Sequence, residues 1–167
     1  MSLVTDPSAN ANAGAIAWED SFLLGYEPMD DTHQEFVSQV GRLQAAADPQ
    51  LLALLDELLA HTRAHFEEEN RWMRETAFPP ADCHVEQHDA VLASMVDVRR
   101  LLAEEGRTDL CRSLVQALAD WFPGHATHLD SALAHWMFKR QYGGKPVVLR
   151  RTISGGGGPQ SADPAPT

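Results

Sequence analysis

Hydrophobic residues recur at the three- and four-residue spacing of an amphipathic helix in four long segments of the chain. The first segment begins near Asp30 or Asp31 and ends at about Ala47. The others run from Pro49 to about Glu75, from Asp82 to about Glu105, and from Thr108 to about Tyr142. Pro or Gly marks each break between them. No stretch alternates with a period of two over a useful length. The pattern therefore predicts an all-α protein, an antiparallel up-down-up-down four-helix bundle with an N-terminal arm.

The two ends of the chain lack this periodicity. Residues 1–17 are small and polar, which predicts a disordered N-terminal segment, and residues 143–167 are rich in Gly and Pro, which predicts a flexible tail. Residues 18–142 between them are expected to form one domain. Its first part, residues 18–29, is apolar but irregular. We expect this arm to pack across the outside of the helices, with Pro28 closing it and Asp30 or Asp31 capping the first helix.

Composition narrows the classes of function. A net charge of -11 argues against binding to nucleic acid or to an anionic membrane surface. The chain has no run of about 18 apolar residues, so no transmembrane helix is expected. Its N-terminus lacks the basic and apolar regions of a secretory signal, and its two cysteines form no CxxC pair. We expect a cytoplasmic protein with reduced thiols.

Polar residues interrupt the apolar stripe of the second segment. His65 and Glu69 are four residues apart, so they lie on one helix face, and they continue the stripe that Leu55, Leu59 and Phe66 define. A histidine and a carboxylate that point into a core are costly to bury unless something inside binds them. A bound metal ion would explain both residues at once. The alternative is a surface pair.

Histidines also stand beside the apolar stripes of the other three segments. His33 precedes the stripe of the first segment, His84 and His88 repeat the four-residue spacing, and His125 is followed by Asp130. Each histidine alone is more often an ordinary core or surface residue. In an up-down bundle, however, all these positions fall toward one end, and that coincidence of depth favours a metal site. Seven ligands exceed a single tetrahedral zinc, so two metal ions are predicted. Imidazole suits Zn, Cu, Fe and Ni, while bridging carboxylates favour harder ions.

Four motifs carry a resemblance to a known family: WEDSFLLGYEPMDDTHQEF, HFEEENRWM, HVEQH and WFPGHATHLD. They contain His, His-x3-Glu, His-x3-His and His-x4-Asp in that order, and the chain from Trp18 to Tyr142 resembles the hemerythrins, specifically bacterial hemerythrin-like domains. The resemblance implies a non-haem di-iron centre. One iron would be bound by His84, His88 and His125 and the other by His33 and His65, with Glu69, Asp130 and an oxo or hydroxo group as bridges.

The resemblance also implies a function. The second iron would keep an open position for O2, inside a dry pocket expected to be lined by Phe36, Phe66, Trp121 and Phe122. The leading interpretation is a non-catalytic protein that binds O2 reversibly for carriage, storage or delivery. One alternative is an oxygen, redox or iron sensor that acts through a partner, which 167 residues without a fused output domain make less attractive. The other is a di-iron peroxidase or nitric-oxide-handling enzyme.

A basic stretch near the C-terminus is a candidate docking segment. In an acidic protein, residues 131–151 contain five basic residues and no acidic ones: Lys139, Arg140, Lys145, Arg150 and Arg151. This stretch is either a solvated helix end favoured by the helix dipole or a surface for an acidic protein partner. O2 and such a protein are the expected partners, and the chain itself is expected to be a monomer.

The fourth segment departs from the family pattern. Ala126 replaces a large aliphatic residue, which would widen the oxygen pocket or open a route to solvent. Pro123-Gly124 falls inside the helix, and the five-residue offset from His125 to Asp130 spans about 140° on a regular helix. Both features are expected to reflect one local distortion that turns the two ligands toward the irons. The remaining histidines are assigned no metal: His61, His128 and His135.

Overall fold

The computed structural model describes residues 15–144 and 146–148. Five α-helices account for most of them: α1 (Glu27–Ala45), α2 (Leu51–Thr76), α3 (Ala81–Glu105), α4 (Thr108–His125) and α5 (Ser131–Tyr142). A π-helical turn (Ala126–Asp130) joins α4 to α5, and short 3-10 turns span Asp20–Phe22 and Asp48–Gln50. The predicted disordered segment 1–17 and flexible tail 143–167 fall largely outside the described residues, so their character stays a prediction.

The helices form a ring of four neighbours. α1 packs against α2 and α4, and α3 packs against the same two helices. The connections between successive helices are only a few residues long, so the helices run antiparallel. Residues 15–144 and 146–148 contain no strand. The predicted all-α, up-down-up-down four-helix bundle is confirmed, and none of its described helices is both long and apolar enough to cross a membrane.

The start of α1 differs from the prediction. Pro28 does not close the arm but lies in the first turn of α1, where its missing N–H is not needed. Asp31 therefore lies inside the helix and does not cap it, and the same holds for Asp30. The Asp30 carboxylate instead accepts hydrogen bonds from the backbone N–H groups of Leu24 and Gly25, at 2.7 and 2.9 Å. Asp30 thus ties the arm to the helix.

The arm packs across the outside of the bundle as predicted. The Trp18 ring contacts the Phe22 ring edge-on at 5.6 Å, and Phe22 contacts Phe122 in the same way at 5.4 Å. The backbone N–H of Ile16 donates to the Gln44 side chain at 2.7 Å. These contacts join the arm to the main core.

Two apolar clusters fill the interior of the bundle. The larger one includes Phe36, Leu55 and Met95, and the smaller one includes Met29, Trp72 and Leu133. Along α1, α2 and the fourth helical column the two clusters are separated by a short polar interval. The predicted metal ligands occupy this interval, so the site is a polar layer between two apolar ones rather than the tip of the bundle.

The fourth helical column carries the distortion predicted from the sequence. α4 continues through Pro123, and the helix then widens into the π-helical turn immediately after His125. A π-helical turn closes i to i+5 hydrogen bonds, and the N–H of Ser131 donates to the carbonyl of Ala126 in this way. A wider turn brings residues five apart near the same face. This geometry places Asp130 beside His125.

Candidate metal centre

The structure brings all seven predicted ligands together. α1 contributes His33, α2 contributes His65 and Glu69, and α3 contributes His84 and His88, while His125 ends α4 and Asp130 ends the π-helical turn. All seven residues are buried, with at most 6% of their surface exposed. Their ligand atoms fall into two groups, each within 4.8 Å: Glu69, His84, His88, His125 and Asp130 in one, and His33, His65 and Glu69 in the other.

Glu69 belongs to both groups because its two carboxylate oxygens face opposite ways. Oε1 lies 3.4 Å from Nε2 of His65 and 3.9 Å from Nε2 of His33. Oε2 lies 3.2 Å from Nε2 of His88 and 3.5 Å from Nε2 of His84. One carboxylate thus presents one oxygen to each histidine group.

The two carboxylate oxygens of Asp130 also face different histidine groups. Its Oδ2 lies 3.1 Å from Nε2 of His33. Its Oδ1 lies 2.9 Å from Nε2 of His84 and 3.1 Å from Nε2 of His125. With two carboxylates that each face two sets of imidazole nitrogens, the cluster has enough ligand atoms for more than one metal ion.

Several of these atoms have no hydrogen-bond partner among the described residues. They are both ring nitrogens of His33 and His84 and all four carboxylate oxygens of Glu69 and Asp130. The ion-pair distances above are short, but the ring N–H directions do not satisfy hydrogen-bond geometry. Buried polar atoms without partners are strongly unfavourable, and metal ions bound in the cluster would satisfy the two Nε2 atoms and the four carboxylate oxygens together. The donor set therefore fits a metal pair.

The electrostatics of the cluster show how strongly its groups depend on one another. Burial lowers the pKa of His84, but the carboxylates of Asp130 and Glu69 outweigh burial and raise that pKa to about 9. Burial dominates at His65 and lowers its pKa to about 4. Burial and Asp130 would raise the pKa of Glu69, yet the surrounding histidines lower it to about 2. Without metal, the site keeps both carboxylates charged and holds a proton on His84.

Two amides orient histidines from outside the cluster. Nδ1 of His88 donates to Oδ1 of Asn70 at 2.9 Å, and Nδ1 of His125 donates to Oε1 of Gln87 at 3.0 Å. An imidazole that donates from Nδ1 keeps the lone pair of Nε2 free for a metal. Asn70 and Gln87 were not predicted from the sequence. Each stands next to a predicted ligand in sequence, but only the packing of the helices shows which ring it reaches.

The three unassigned histidines lie outside the cluster, as expected. Nε2 of His61 lies 3.2 Å from the Thr32 carbonyl oxygen, and its Nδ1 lies 3.4 Å from a Glu35 carboxylate oxygen. His128 and His135 are exposed.

A small cavity of about 10 Å³ adjoins the cluster on the side of His65. All four aromatic residues predicted for the oxygen pocket line it: Phe36, Phe66, Trp121 and Phe122. Its volume is about the space that one water-sized molecule needs. The predicted route to solvent at Ala126 is wrong, because Ala126 is 1% exposed and packs in the main core. Nor does Ala126 line this cavity.

Comparisons with known proteins agree with this geometry. Residues 24–136 match the family model described as the hemerythrin HHE cation binding domain. The chain is 37% identical to a bacteriohemerythrin from Ralstonia nicotianae over 125 residues, which cover 75% of this chain and 90% of that protein. It is 27% identical to a myohemerythrin from Sipunculus nudus over 113 residues, covering 68% and 86% of the two chains. A bacteriohemerythrin from Stenotrophomonas maltophilia is 25% identical, with 71% and 79% covered. No solved structure matches the chain.

Proposed function

Because the chain belongs to the hemerythrin family, we propose that it binds O2 reversibly at a non-haem di-iron centre and serves oxygen carriage, storage or delivery. The observation that carries this proposal is the division of two buried carboxylates between two histidine groups. Glu69 and Asp130 each present one oxygen to either side. That donor set suits two metal ions better than one zinc.

The ligand assignment follows the distances. His84, His88 and His125 would hold one iron, and His33 and His65 the other. Glu69 and Asp130 would bridge the two irons, with an oxo or hydroxo group as a third bridge. The side with three histidines would then be filled, whereas the side with two would keep one position open. The cavity beside His65 lies on the side with two histidines.

The protein surroundings suit a small apolar ligand. The iron pair, when bound, supplies the electrons and the coordination position that O2 binding needs. Phe36, Phe66 and Phe122, each 2% exposed, wall the cavity and exclude bulk water. Exclusion of water and anions protects a reduced metal pair from oxidation. Asn70 and Gln87 hold His88 and His125 in the orientation that faces the metals.

The direct test is metal analysis followed by oxygenation. Anaerobic loading with Fe²⁺ should give two irons per chain, and repeated cycles of O2 and argon should produce and remove one oxygenated absorption spectrum. One zinc and no iron in the isolated protein would contradict the proposal. Steady turnover of peroxide or nitric oxide, without a stable oxygenated form, would instead favour the enzyme alternative.

The ligand set has its own test. Glu69→Ala removes a bridge from a fully buried position, and the protein should lose at least one iron because two ferrous charges are then poorly compensated. His61→Ala and His128→Ala are matched controls, since both histidines lie outside the cluster, and their iron content should equal that of the wild type. Loss of iron from either control would show that the ligand assignment is wrong.

The interpretation of the basic stretch stays a prediction. Lys139 and Arg140 are exposed, and Arg140 lies 5.5 Å from the centre of the Trp136 ring. Lys145, Arg150 and Arg151 fall outside the described residues. We retain an acidic protein partner, a monomeric state, a cytoplasmic location and the absence of nucleic-acid binding as proposals.

A further inference from the structure

The cavity beside His65 is closed on almost every side by buried residues. Of the residues that line it, Phe36, Phe66 and Phe122 are 2% exposed, His65 is 6% exposed and Asp130 is fully buried. Within the described part of the chain, Trp121 is the single lining residue that reaches the surface, since it is half-buried. A ligand that moves between solvent and this cavity therefore meets Trp121 on the shortest way through its wall.

The outer side of Trp121 faces a second, larger space. A groove of about 280 Å³ runs between α3 and α4, and Trp121 lines it together with Val91, Leu114 and Leu118. Its rim carries small exposed residues, among them Ala90 and Ala117. Trp121 is thus common to the surface groove and the internal cavity, and the lining of the groove is mainly apolar.

The position of the Trp121 ring is held by the site itself. Its indole stacks on the His125 imidazole, with ring centres 4.2 Å apart and an angle of 27° between the planes. It also meets Phe66 edge-on at 6.2 Å. A half-buried ring at the surface can move outward by a change of rotamer, which opens a passage briefly without disturbing the helices.

We propose that O2 reaches the cavity through the groove between α3 and α4, and that Trp121 is the gate on this route. This inference rests on the proposed function, because it assigns the path of that ligand. The chemistry of the groove matches O2, which is small, uncharged and apolar. An anion such as azide would have to lose its hydration in the apolar groove, so the same route disfavours it. Trp121 acts on access and does not bind the metals.

The sharpest test blocks the groove without touching the site. Ala117→Phe places a large ring on the rim of the groove, and Ala93→Phe, at an exposed position of α3 that does not line the groove, is the matched control. The rate constants for O2 association and dissociation are measured in both. A barrier on this route slows both by the same factor, on the order of tenfold for about 1.4 kcal/mol of added barrier, and leaves the Kd unchanged. The control should keep wild-type rates.

A second variant opens the gate. Trp121→Phe keeps an aromatic ring over His125 but removes part of its area, so O2 association and dissociation should both become faster at constant Kd. Unchanged rates in both Ala117→Phe and Trp121→Phe would overturn the route. So would a changed Kd with unequal effects on the two rates, because the substitution would then act on the bound state rather than on the path.

Xenon gives a readout that does not depend on O2 chemistry. Crystals of the protein as isolated, pressurised with xenon, should show the atom in the groove beside Leu118 and in the cavity beside Phe66. Ala117→Phe should lose the groove site. An empty groove in the wild type would overturn the route. If xenon occupies both spaces but the iron-loaded protein fails to bind O2, the proposed function is wrong while the passage itself is supported.

Discussion

Asn70 determines which nitrogen His88 offers to the metal side. Its Oδ1 accepts from Nδ1 of His88 at 2.9 Å, so the proton stays on Nδ1 and the lone pair of Nε2 faces Glu69. Gln87 does the same for His125 from the opposite side. Outer hydrogen bonds of this kind fix the tautomer and the orientation of a ligand before the metal binds.

Removal of the acceptor should therefore weaken metal binding. Asn70→Leu has nearly the same size but no acceptor for His88, and the affinity for iron should fall roughly 10- to 100-fold. Asn70→Asp is the matched control, because it keeps an oxygen at the same place and should retain affinity. Competition with a chelator measures both variants. Equal affinities in Asn70→Leu and the wild type would mean that the packing of His88 alone, stacked 3.8 Å from Phe66, fixes its orientation.

Ala126, where the resemblance led us to expect a route to solvent, is closed to solvent. It is 1% exposed and is the first residue of the π-helical turn, packed in the main core. Ala126→Ile adds carbon atoms where no described cavity has room, so the free energy of unfolding should fall by about 1–3 kcal/mol. Ala132→Ile, on an exposed position of α5, is the control and should change it little. Urea unfolding of the iron-loaded wild type and both variants measures these changes in the free energy of unfolding. An unchanged stability would show unfilled space at position 126.

At the scale of the helices, the sequence predicted much of what the structure shows. Helix breaks at Pro79 and Gly106 fell close to the real ends, and the four-residue spacings of His65 with Glu69 and His84 with His88 placed those pairs on inner faces. Periodicity is a local property, and local spacing suffices to assign a face. The depth of each ligand along its helix then followed from the antiparallel order.

Other features depend on contacts between distant segments, which spacing does not encode. Asp30 looked like a helix cap because its distance from the first stripe suits one, but its partners are backbone groups of the preceding arm. Asn70 and Gln87 act across helix interfaces. The distortion near Pro123 was expected, yet its form, a π-helical turn from Ala126, depends on how the column is held by packing on both sides.

The ends of α2 and α3 provide a paired test of backbone strain. Both helices are followed by a left-handed residue, Ala77 with φ +51° and Gly106 with φ +65°. For an L-residue this conformation costs about 1–2 kcal/mol, whereas Gly adopts it freely but loses about 0.5–1 kcal/mol more entropy on folding. Ala77→Gly should therefore stabilise the protein by about 0.5–1 kcal/mol in chemical unfolding.

The reverse change at the other helix end serves as the control. A side chain added at Gly106 meets nothing within 4 Å, so Gly106→Ala tests the backbone alone and should destabilise the protein by a similar amount. If Ala77→Gly and Gly106→Ala changed the free energy of unfolding in the same direction, packing near Ala77 would outweigh its backbone conformation.

On the scale of the whole molecule, the metal site separates two apolar clusters that would otherwise form one core. Seven polar side chains occupy the layer between Phe36 on one side and Met29 on the other. Without metal these groups hold one another only through partly satisfied charge pairs. A metal that binds the folded but not the unfolded chain adds its binding free energy to stability, so the iron-free protein should melt at a lower temperature.

The difference in stability between the iron-free and iron-loaded proteins should depend on pH. In the iron-free protein the pKa of His84 rises from 6.5 to about 9, because the carboxylates of Asp130 and Glu69 outweigh burial. A raised histidine pKa stabilises the fold fully below the unfolded value, and the contribution disappears as the pH rises through about 9. On the acid side, burial lowers the pKa of His65 to about 4, so protonation of the unfolded chain removes stability as the pH falls below about 6.5.

The iron-free protein should therefore be most stable near pH 6.5 and lose stability in both directions. On the alkaline side His84 accounts for at most a few kcal/mol, since one pKa unit corresponds to about 1.4 kcal/mol. In the iron-loaded protein the ligand nitrogens carry no proton, so the loss between pH 6.5 and 9 should vanish. Melting temperatures of both forms across this range measure the effect. His84→Gln in the iron-free form should reduce the alkaline slope, leaving the part that comes from His33, whose pKa the carboxylates of Asp130 and Glu69 also raise against burial. Parallel pH profiles for the iron-free and iron-loaded proteins would mean that His84 does not bind the metal.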